Sequence, residues 1–429
     1  MKVRSGGHDY EGLSYTSVVP FFIVDMFNLH SVDVNIEDET AWVQAGASLG
    51  EVYYAIANKS DTHAFPAGVC PTVGAGGHIS GGGYGNLLRK YGLTVDNLID
   101  LIVVDVNGRV LDRKAMGEDL FWALRGGGGS SFCAIVSYKI KLVRVPKTVT
   151  VFRVSKTLDL DQNFTDIVDQ YQHVAPYLDR NAFIRLTLDA TNSSKTGLTT
   201  TRATFRCMFL GDSQSLLSLV NENFPLLGLQ KSDCLEMSWI ESVLFFYDFP
   251  SNTSINILLD RQSLNLTYFK IKSDYVKEPI PRHGLEGLWK KIAEVQTPLL
   301  TFNPYGGRMA EIPANATAFP HRAGNLFKLQ YETDWNEGGR KNEKHYIDVT
   351  RKLHAYMTPF VSKNPRQAFL NYRDLDLGIN HQGSKSYIEG RRYGIKYFKD
   401  NFDRLVRIKT KVDPLNFFKN EQSIPTLPH

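Results

Sequence analysis

The chain has 429 residues, of which 42% are hydrophobic and 22% charged, with a formal net charge of +4. At roughly 100–200 residues per domain this length suggests two or three domains, and the near-even charge excludes a protein whose main task is gripping nucleic acid or an anionic membrane. Four cysteines without a CxxC pair exclude a disulfide scaffold, a zinc ribbon and a thioredoxin motif, and no uncharged apolar run approaches the roughly 18 residues of a membrane helix.

The first residues, Met1-Lys2-Val3-Arg4, contain no apolar core of a signal peptide. Six N-x-[ST] sequons, at Asn58, Asn163, Asn192, Asn252, Asn265 and Asn315, nevertheless point to a secretory protein whose front end is missing. Short apolar runs at Phe21–Asp25 and Ala41–Ala45 predict strands, and Val52, Ala55 and Ile56 at helical spacing predict a helix over Leu49–Asn58. Leu101–Asp105 reads as a strand, Asn107-Gly108 as its hairpin turn, and Gly117–Leu124 as a helix running into the glycines at 126–129. Val145-Pro146-Lys147 marks a boundary, after which glycine clusters thin out. Helices over Asp166–Tyr177, Ser213–Glu222 and Leu285–Val295 then alternate with strands over Ala182–Leu188, Thr201–Phe209 and Asn325–Glu332, an α+β pattern with a mainly antiparallel sheet. Tyr393–Val406 reads as one amphipathic helix, stopped by Asp413-Pro414.

No G-x-G-x-x-G or P-loop is present, so nicotinamide and nucleoside triphosphate chemistry lose their main support. Gly46-Ala47-Ser48-Leu49-Gly50 matches the G-x-S-x-G of a nucleophile elbow and keeps a serine hydrolase using Ser48 open; the plain alternative is a tight strand-to-helix turn of small residues. Three glycine-dense loops, at 5–8, 74–85 and 126–129, allow close backbone approach and can form anion-binding nests. Together they suggest a large phosphate-bearing cofactor. His8 and Cys70 sit at such loops, and an imidazole nitrogen and a thiolate can both add to an activated flavin ring.

These residues also carry a resemblance. Val3-Arg4-Ser5-Gly6-Gly7-His8-Asp9-Tyr10-Glu11-Gly12 and Phe65-Pro66-Ala67-Gly68-Val69-Cys70-Pro71-Thr72-Val73-Gly74, with Gly77-His78 and Gly81-Gly82-Gly83-Tyr84-Gly85, resemble the two flavin-attachment motifs of the plant berberine bridge enzyme-like oxidases. Asn371-Tyr372-Arg373-Asp374-Leu375-Asp376, Asp413-Pro414-Leu415-Asn416-Phe417-Phe418 and Gln422-Ser423-Ile424-Pro425 extend the resemblance to the end of the chain. It implies a flavin-binding domain of the vanillyl-alcohol-oxidase (PCMH) type over 1–145, a substrate domain with an antiparallel sheet flanked by helices over 146–380, and a C-terminal segment, 381–429, that returns to the first domain. It also implies FAD held twice covalently, through His8 at the 8α-methyl carbon and Cys70 at C6. Arg4, Ser5, Gly6, Gly7, Asp9, Ser14, Pro71, Thr72, Val73, Gly74, Gly77, His78, Gly82, Gly83, Tyr84, Gly85, Ile135 and Asn416 would line the cofactor.

On the substrate side, Asn325–Glu332 alternates, with Phe327, Leu329 and Tyr331 on one face and Lys328, Gln330 and Glu332 on the other. Alternation alone predicts a core face and a solvent face. The resemblance instead places Lys328 and Gln330 toward the flavin, with Tyr10 and Tyr84 as active-site tyrosines, as in the alcohol-oxidising branch. It implies a monolignol-like aromatic alcohol or a sugar as substrate, Tyr10 or Tyr372 as base assisted by the Lys328 ammonium, and Val73 as an oxygen gate that admits O2 and yields hydrogen peroxide. The expected protein is a monomer, secreted or in the cell wall like its family, without a nucleic-acid partner or a membrane span. Three departures stand out: the chain begins almost at the first motif, Cys133 replaces a glycine, and Phe369 replaces a usual tyrosine. They raise the alternative of a truncated, inactive flavoprotein fragment or binding protein.

Overall fold

Two periodicities organise the chain, and each builds its own sheet. The structure, a computed structural model, describes residues 1–262, 266–336, 338–381 and 383–428. In the first half, strands Val32–Asn35, Thr40–Gln44, Ala134–Lys141, Leu98–Val104 and Val110–Leu111 lie in that order in a five-stranded antiparallel sheet. The turn after Leu98–Val104 forms because Asp105 Oδ1 accepts from the Asn107 and Arg109 N–H groups at 2.9 Å each while Gly108 takes φ 75°. Lys2–Arg4 pairs in parallel with Ile23–Asp25, a strand shorter than the apolar run suggests. Helix Leu49–Ala57 starts on a reciprocal cap: Ser48 Oγ accepts from the Glu51 N–H at 3.2 Å, and Glu51 accepts from the Ser48 N–H at 2.7 Å.

The second half forms a seven-stranded sheet in the order Leu235–Met237, Val149–Thr157, Thr199–Phe209, Ala182–Asn192, Leu299–Pro304, Phe327–Trp335, Tyr268–Val276. All of its pairings are antiparallel. One face buries Leu186, Phe205, Leu329 and Tyr331 against helices Phe164–Val174, Arg282–Val295 and Glu343–Tyr356. These helices place apolar residues at the 3.6-residue spacing that the sequence shows.

The single helix expected over 393–406 is two: Ser386–Phe398 and Phe402–Val412, with Lys399 between them at φ 49°. The reason is packing. A Cβ at Gly394 would lie 2.1 Å from Phe402 Cε2, so the glycine makes room for the first ring of the next helix to fold back onto the previous one. Tyr393, Leu405 and Val406 then share a core with Leu101 and Tyr138 of the five-stranded sheet. The helix expected from Gly117 follows a short helical turn that starts at Arg113, where Asp112 Oδ1 accepts from the Ala115 N–H at 2.8 Å; Gly117, at φ 78°, breaks the two apart.

Arg89 joins the two halves. It is 1% exposed and, among the described residues, no carboxylate hydrogen-bonds it; its guanidinium donates instead to the carbonyls of Tyr305, Asp179, Ala182, Pro176 and Leu178 at 2.5–3.1 Å. A planar fork can reach all of these acceptors, whereas an ammonium has only three protons. We therefore expect Arg89→Lys, although it keeps the charge, to cost about 3–5 kcal/mol by leaving buried carbonyls unpaired. A urea midpoint shifted by less than a quarter of that, at unchanged slope, would refute this.

Candidate active site

The glycine loops meet first. A Cβ at Gly6 would lie 2.4 Å from Gly74 N, and one at Gly74 would lie 2.2 Å from Gly6 N, so the two backbones touch only because both side chains are absent. Ser5 Oγ locks the contact, donating to the Ala45 carbonyl at 2.6 Å and accepting from the Gly76 N–H at 3.2 Å. Beside this contact lies a cavity of about 340 Å³, lined by Arg4, Gly7, Ser48, Thr72 and Arg261 among others. Arg4 pairs with Asp25, and Arg261 donates to the Gly46 carbonyl at 2.6 Å, so both guanidiniums are held at the cavity. Ser14 Oγ is buried with no hydrogen-bond partner, and a Cβ at Gly77 would meet nothing within 4 Å. Fixed cations beside a backbone cradle fit a phosphate-bearing group.

His8 comes to the segment that follows Cys70. His8 is exposed and its ring reaches the Thr72 backbone, two residues beyond Cys70; surrounding protein lowers its pKa. Cys70 is exposed to water yet surrounded by protein atoms, as a side chain in a concave wall must be, and burial together with Glu332 pushes its thiol up to about 11.

Several residues expected to line a cofactor also hold the scaffold. Asp9 Oδ1 accepts from the Glu11 and Leu13 N–H groups and Oδ2 from Arg373 Nε at 2.7 Å. His78 Nε2 accepts from the Gly68 N–H at 3.1 Å, and burial pushes the ring down to about 3, so it stays neutral. The missing side chains of Gly82, Gly83 and Gly85 make room for Phe319, Thr94 and the Ala67 carbonyl. The Pro71 and Val73 carbonyls accept from the N–H groups of Gly50 and Leu49 at 2.8 and 2.9 Å. Ile135 packs at Gly129, and Asn416 turns the chain at φ 53°. Cys133 is buried in the hydrophobic core. Ser48 caps a helix, and among the described residues no histidine bonds it, so the elbow has the look of a hydrolase without its base.

Above the cleft stands an aromatic and polar cluster. Lys328 is 1% exposed, and its Nζ lies 2.7 Å from the Tyr84 ring centroid, 4.2 Å from Phe369 and 4.7 Å from Tyr372. The Tyr84 and Tyr372 hydroxyls bond each other, and the Tyr10 and Tyr372 rings are 5.6 Å apart. Gln330 Nε2 donates to Tyr10 Oη at 3.5 Å and to Glu332 Oε2 at 3.2 Å. Pairing register explains the row: Lys328 sits between Tyr275 and Asn303, and Gln330 between Ser273 and Thr301, all on one face. The second face of this strand is therefore a site wall, not the solvent face that alternation alone predicts.

Burial, then Arg185, pushes Lys328 well below its ordinary value, and burial pushes Tyr10, Tyr84 and Tyr372 up. Arg185 was missed in the sequence, and Phe369 and Glu332 were noted there without a role. Phe369 supplies a ring face to Lys328, Arg185 donates to Asn303 Oδ1 at 2.8 Å beside it, and Glu332 accepts from Gln330. Phe369 and Glu332 had signals, a replaced tyrosine and a place in the alternation; Arg185 arrives through cross-strand register.

A buried ion-pair chain holds the walls together. Glu11 and Asp374 pair with Lys270, Asp374 and Asp376 with Lys272, and Asp376 with Arg351, while Asp9 pairs with Arg373. Loop 9–11, strand Tyr268–Val276 and the segment after Tyr372 are thereby fixed to one another.

Two family models match the chain, an FAD binding domain over residues 1–113 and "Berberine and berberine like" over 368–425. Berberine bridge enzyme-like 8 of Arabidopsis thaliana is 59% identical over 100% of this chain and 81% of its own length, and berberine bridge enzyme-like 21 of the same plant is 56% identical over 100% and 79%. Among solved structures, BBE-like #28 from Arabidopsis thaliana aligns with TM-score 0.93 at 47% identity, covering 99% of this chain and 87% of that one. Phl p 4, described as a grass pollen allergen with glucose dehydrogenase activity, aligns with TM-score 0.94 at 44% identity over 100% and 86%. With both motif regions matched and this identity across its full length, the chain belongs to the berberine bridge enzyme-like family of FAD-dependent oxidoreductases.

Proposed function

We propose that this protein is a flavin-linked oxidase that takes a hydride from an alcohol carbon of a monolignol-like aromatic alcohol or a carbohydrate and passes the electrons to O2, releasing hydrogen peroxide. The observation that supports this reading is the cluster of Lys328, Gln330, Tyr10, Tyr84 and Tyr372, whose Tyr10 and Tyr84 lie within electrostatic reach of Cys70. A cation, an amide and phenolic hydroxyls around a cleft suit a polar hydroxyl substrate lying on aromatic rings.

His8 and Cys70 would tether FAD, with Arg4, Ser5, Gly6, Gly7, Thr72 and Gly74 lining the cavity and Gly77 and Ser14 as further candidates to meet the cofactor. When bound, the flavin supplies the hydride acceptor. The chain's own part is to exclude water and orient the alcohol. Tyr84 and Tyr372 tie their hydroxyls together, Lys328 caps the Tyr84 ring, and Gln330 offers its amide to the Tyr10 side of the pocket. The carbon to be oxidised is thus set by the walls, and substrate choice by the space they leave.

Val73 stands where the family resemblance puts the oxygen gate. Among the structural neighbours, an isoleucine-to-valine variant of Phl p 4 is described as a glucose oxidase and the wild-type protein of that allergen as a glucose dehydrogenase. The same contrast supports oxygen as acceptor here. A secreted, glycosylated protein is part of the proposal: Asn58, Asn163, Asn192, Asn252 and Asn315 are all exposed, and Asn265 lies outside the described residues.

Three outcomes follow. Acid-precipitated protein stays yellow in wild type and in His8→Ala or Cys70→Ala, each of which keeps one tether, and becomes colourless only in the double variant; a colourless wild-type pellet refutes covalent attachment. Gly74→Ala drives a methyl into the Gly6 backbone and abolishes flavin incorporation, read from the visible absorbance per protein. Val73→Leu lowers turnover with O2 by about tenfold or more, ~1.4 kcal/mol of barrier, and spares turnover with an artificial dye; equal loss of both activities sinks the gate.

A further inference from the structure

Another cavity lies away from the glycine loops. Its volume is about 560 Å³, and it is walled by strand Tyr268–Val276, helix Glu343–Tyr356, the segment 366–368, the turn at 376–377 and helix Ser386–Phe398. Pockets of this size hold small organic molecules. Strand Tyr268–Val276 is the edge of the seven-stranded sheet, and its Lys272 and Asp274 pair with Tyr331 and Leu329. Directly paired residues share a face, and Tyr331 and Leu329 belong to the helix-covered core. Lys272 and Asp274 therefore open the cavity on the face of the sheet opposite Lys328 and Gln330.

The walls are charged. Four cations, Lys272, Arg351, Arg366 and Lys396, meet two carboxylates, Asp274 and Asp376. Three of the cations have partners. Arg366 grips Asp274 through Nε and Nη2, Arg351 grips Asp376 in the same way, and Lys272 lies between Asp374 and Asp376. Lys396 differs. It is half-buried, yet among the described residues no carboxylate comes within ion-pair distance of its ammonium and no hydrogen bond holds it. A second donor is also uncommitted. Gln367 is 2% exposed and its Oε1 meets His321 Nδ1 at 3.1 Å, while its Nε2 bonds no described residue.

The remaining titratable group on the walls is His354. Burial, Arg366 and Lys272 push its ring down to about 2, so it is neutral and brings no charge of its own. Burial and Arg366 lower Lys396 as well, against the pull of Asp374. Cations that repel one another across a cavity leave a positive potential inside it, which an entering anion relieves.

We propose that this cavity binds a small organic anion, whose phosphate or carboxylate oxygens accept from the Lys396 ammonium and the Gln367 amide. An oxyanion supplies the counter-charge that Lys396 lacks and an acceptor for a buried amide, whereas a neutral ligand would bury the ammonium uncompensated. The ligand also meets the end of the ion-pair chain, since Lys272 and Asp376 belong both to the cavity wall and to the chain that reaches loop 9–11.

Isothermal titration tests this, with FAD in excess so that the cavity beside Gly6 and Gly74 does not compete for the probe. The probes are inorganic phosphate, sulfate and succinate, at an ionic strength held constant with chloride. One saturable site per chain is expected. Lys396→Met should weaken it about tenfold or more, and Lys396→Arg, which keeps the charge, should stay within about threefold of wild type. Lys290→Met removes an exposed lysine from helix Arg282–Val295 and should leave binding unchanged. A readout that needs no variant is lysine acetylation mapped by mass spectrometry: saturating probe should slow modification of Lys396 and not of Lys290. Binding of phosphate and sulfate alone assigns a tetrahedral head group, and binding of succinate a carboxylate; either supports the site. The assignment is overturned by the lack of saturable binding with every probe, by Lys396→Met binding as wild type, by an equal loss in Lys290→Met, or by Lys396 left unprotected.

Discussion

The contact between Gly6 and Gly74 is the constraint on which the rest of the site depends. Two backbone segments separated by some seventy positions touch where any Cβ would overlap a main-chain nitrogen. Beside that contact, His8 reaches the Thr72 backbone, two residues beyond Cys70. Ser5, bridging the Ala45 carbonyl and the Gly76 N–H, ties that contact to the end of strand Thr40–Gln44 and so to the five-stranded sheet. The cleft is rigid because it is built from backbone, and open on one side because glycine leaves space there.

The opposite wall obeys a different logic. Strand Phe327–Trp335 buries one face in an apolar core under helices, while its other face runs from buried Lys328 through half-buried Gln330 and Glu332 to exposed Asp334. A polar face can be buried only if its groups find partners or are pushed toward their neutral forms. Both happen here. Lys328 is capped by aromatic faces and held below its usual pKa, Gln330 bridges Tyr10 and Glu332, and Glu332 is lifted toward neutrality. The result is a row of side chains whose protonation is poised rather than fixed, which a solvent-facing strand would not provide.

Buried charges elsewhere are handled by pairing. Lys270, Lys272, Asp374 and Asp376 form a chain that ties loop 9–11 to the segment after Tyr372. Such pairs contribute little net stability once desolvation is counted, but breaking one partner leaves an uncompensated charge, so they fix geometry. Their effect is to hold Tyr10 and Tyr372, which come from opposite ends of the chain, with their rings 5.6 Å apart.

The sequence by itself determined the elements and the family. Apolar spacing marked helices at 213–223 and 282–295 and strands at 182–192 and 199–209 to within a few residues, and the glycine loops with His8 and Cys70 marked the cofactor. It did not show that one helix becomes two at Lys399, since that depends on Phe402 folding onto Gly394. Nor did it show that His78 and Asp9 turn inward, or that Arg89 is held by carbonyls from the other half. Local periodicity reports which face of an element is apolar; it is silent on what that element meets. The polar face of strand Phe327–Trp335 became a site wall, with Arg185 and Glu332 in it, only when register and the approach of the glycine loops closed the space above it, and the free energy of burying those groups is set by that closure.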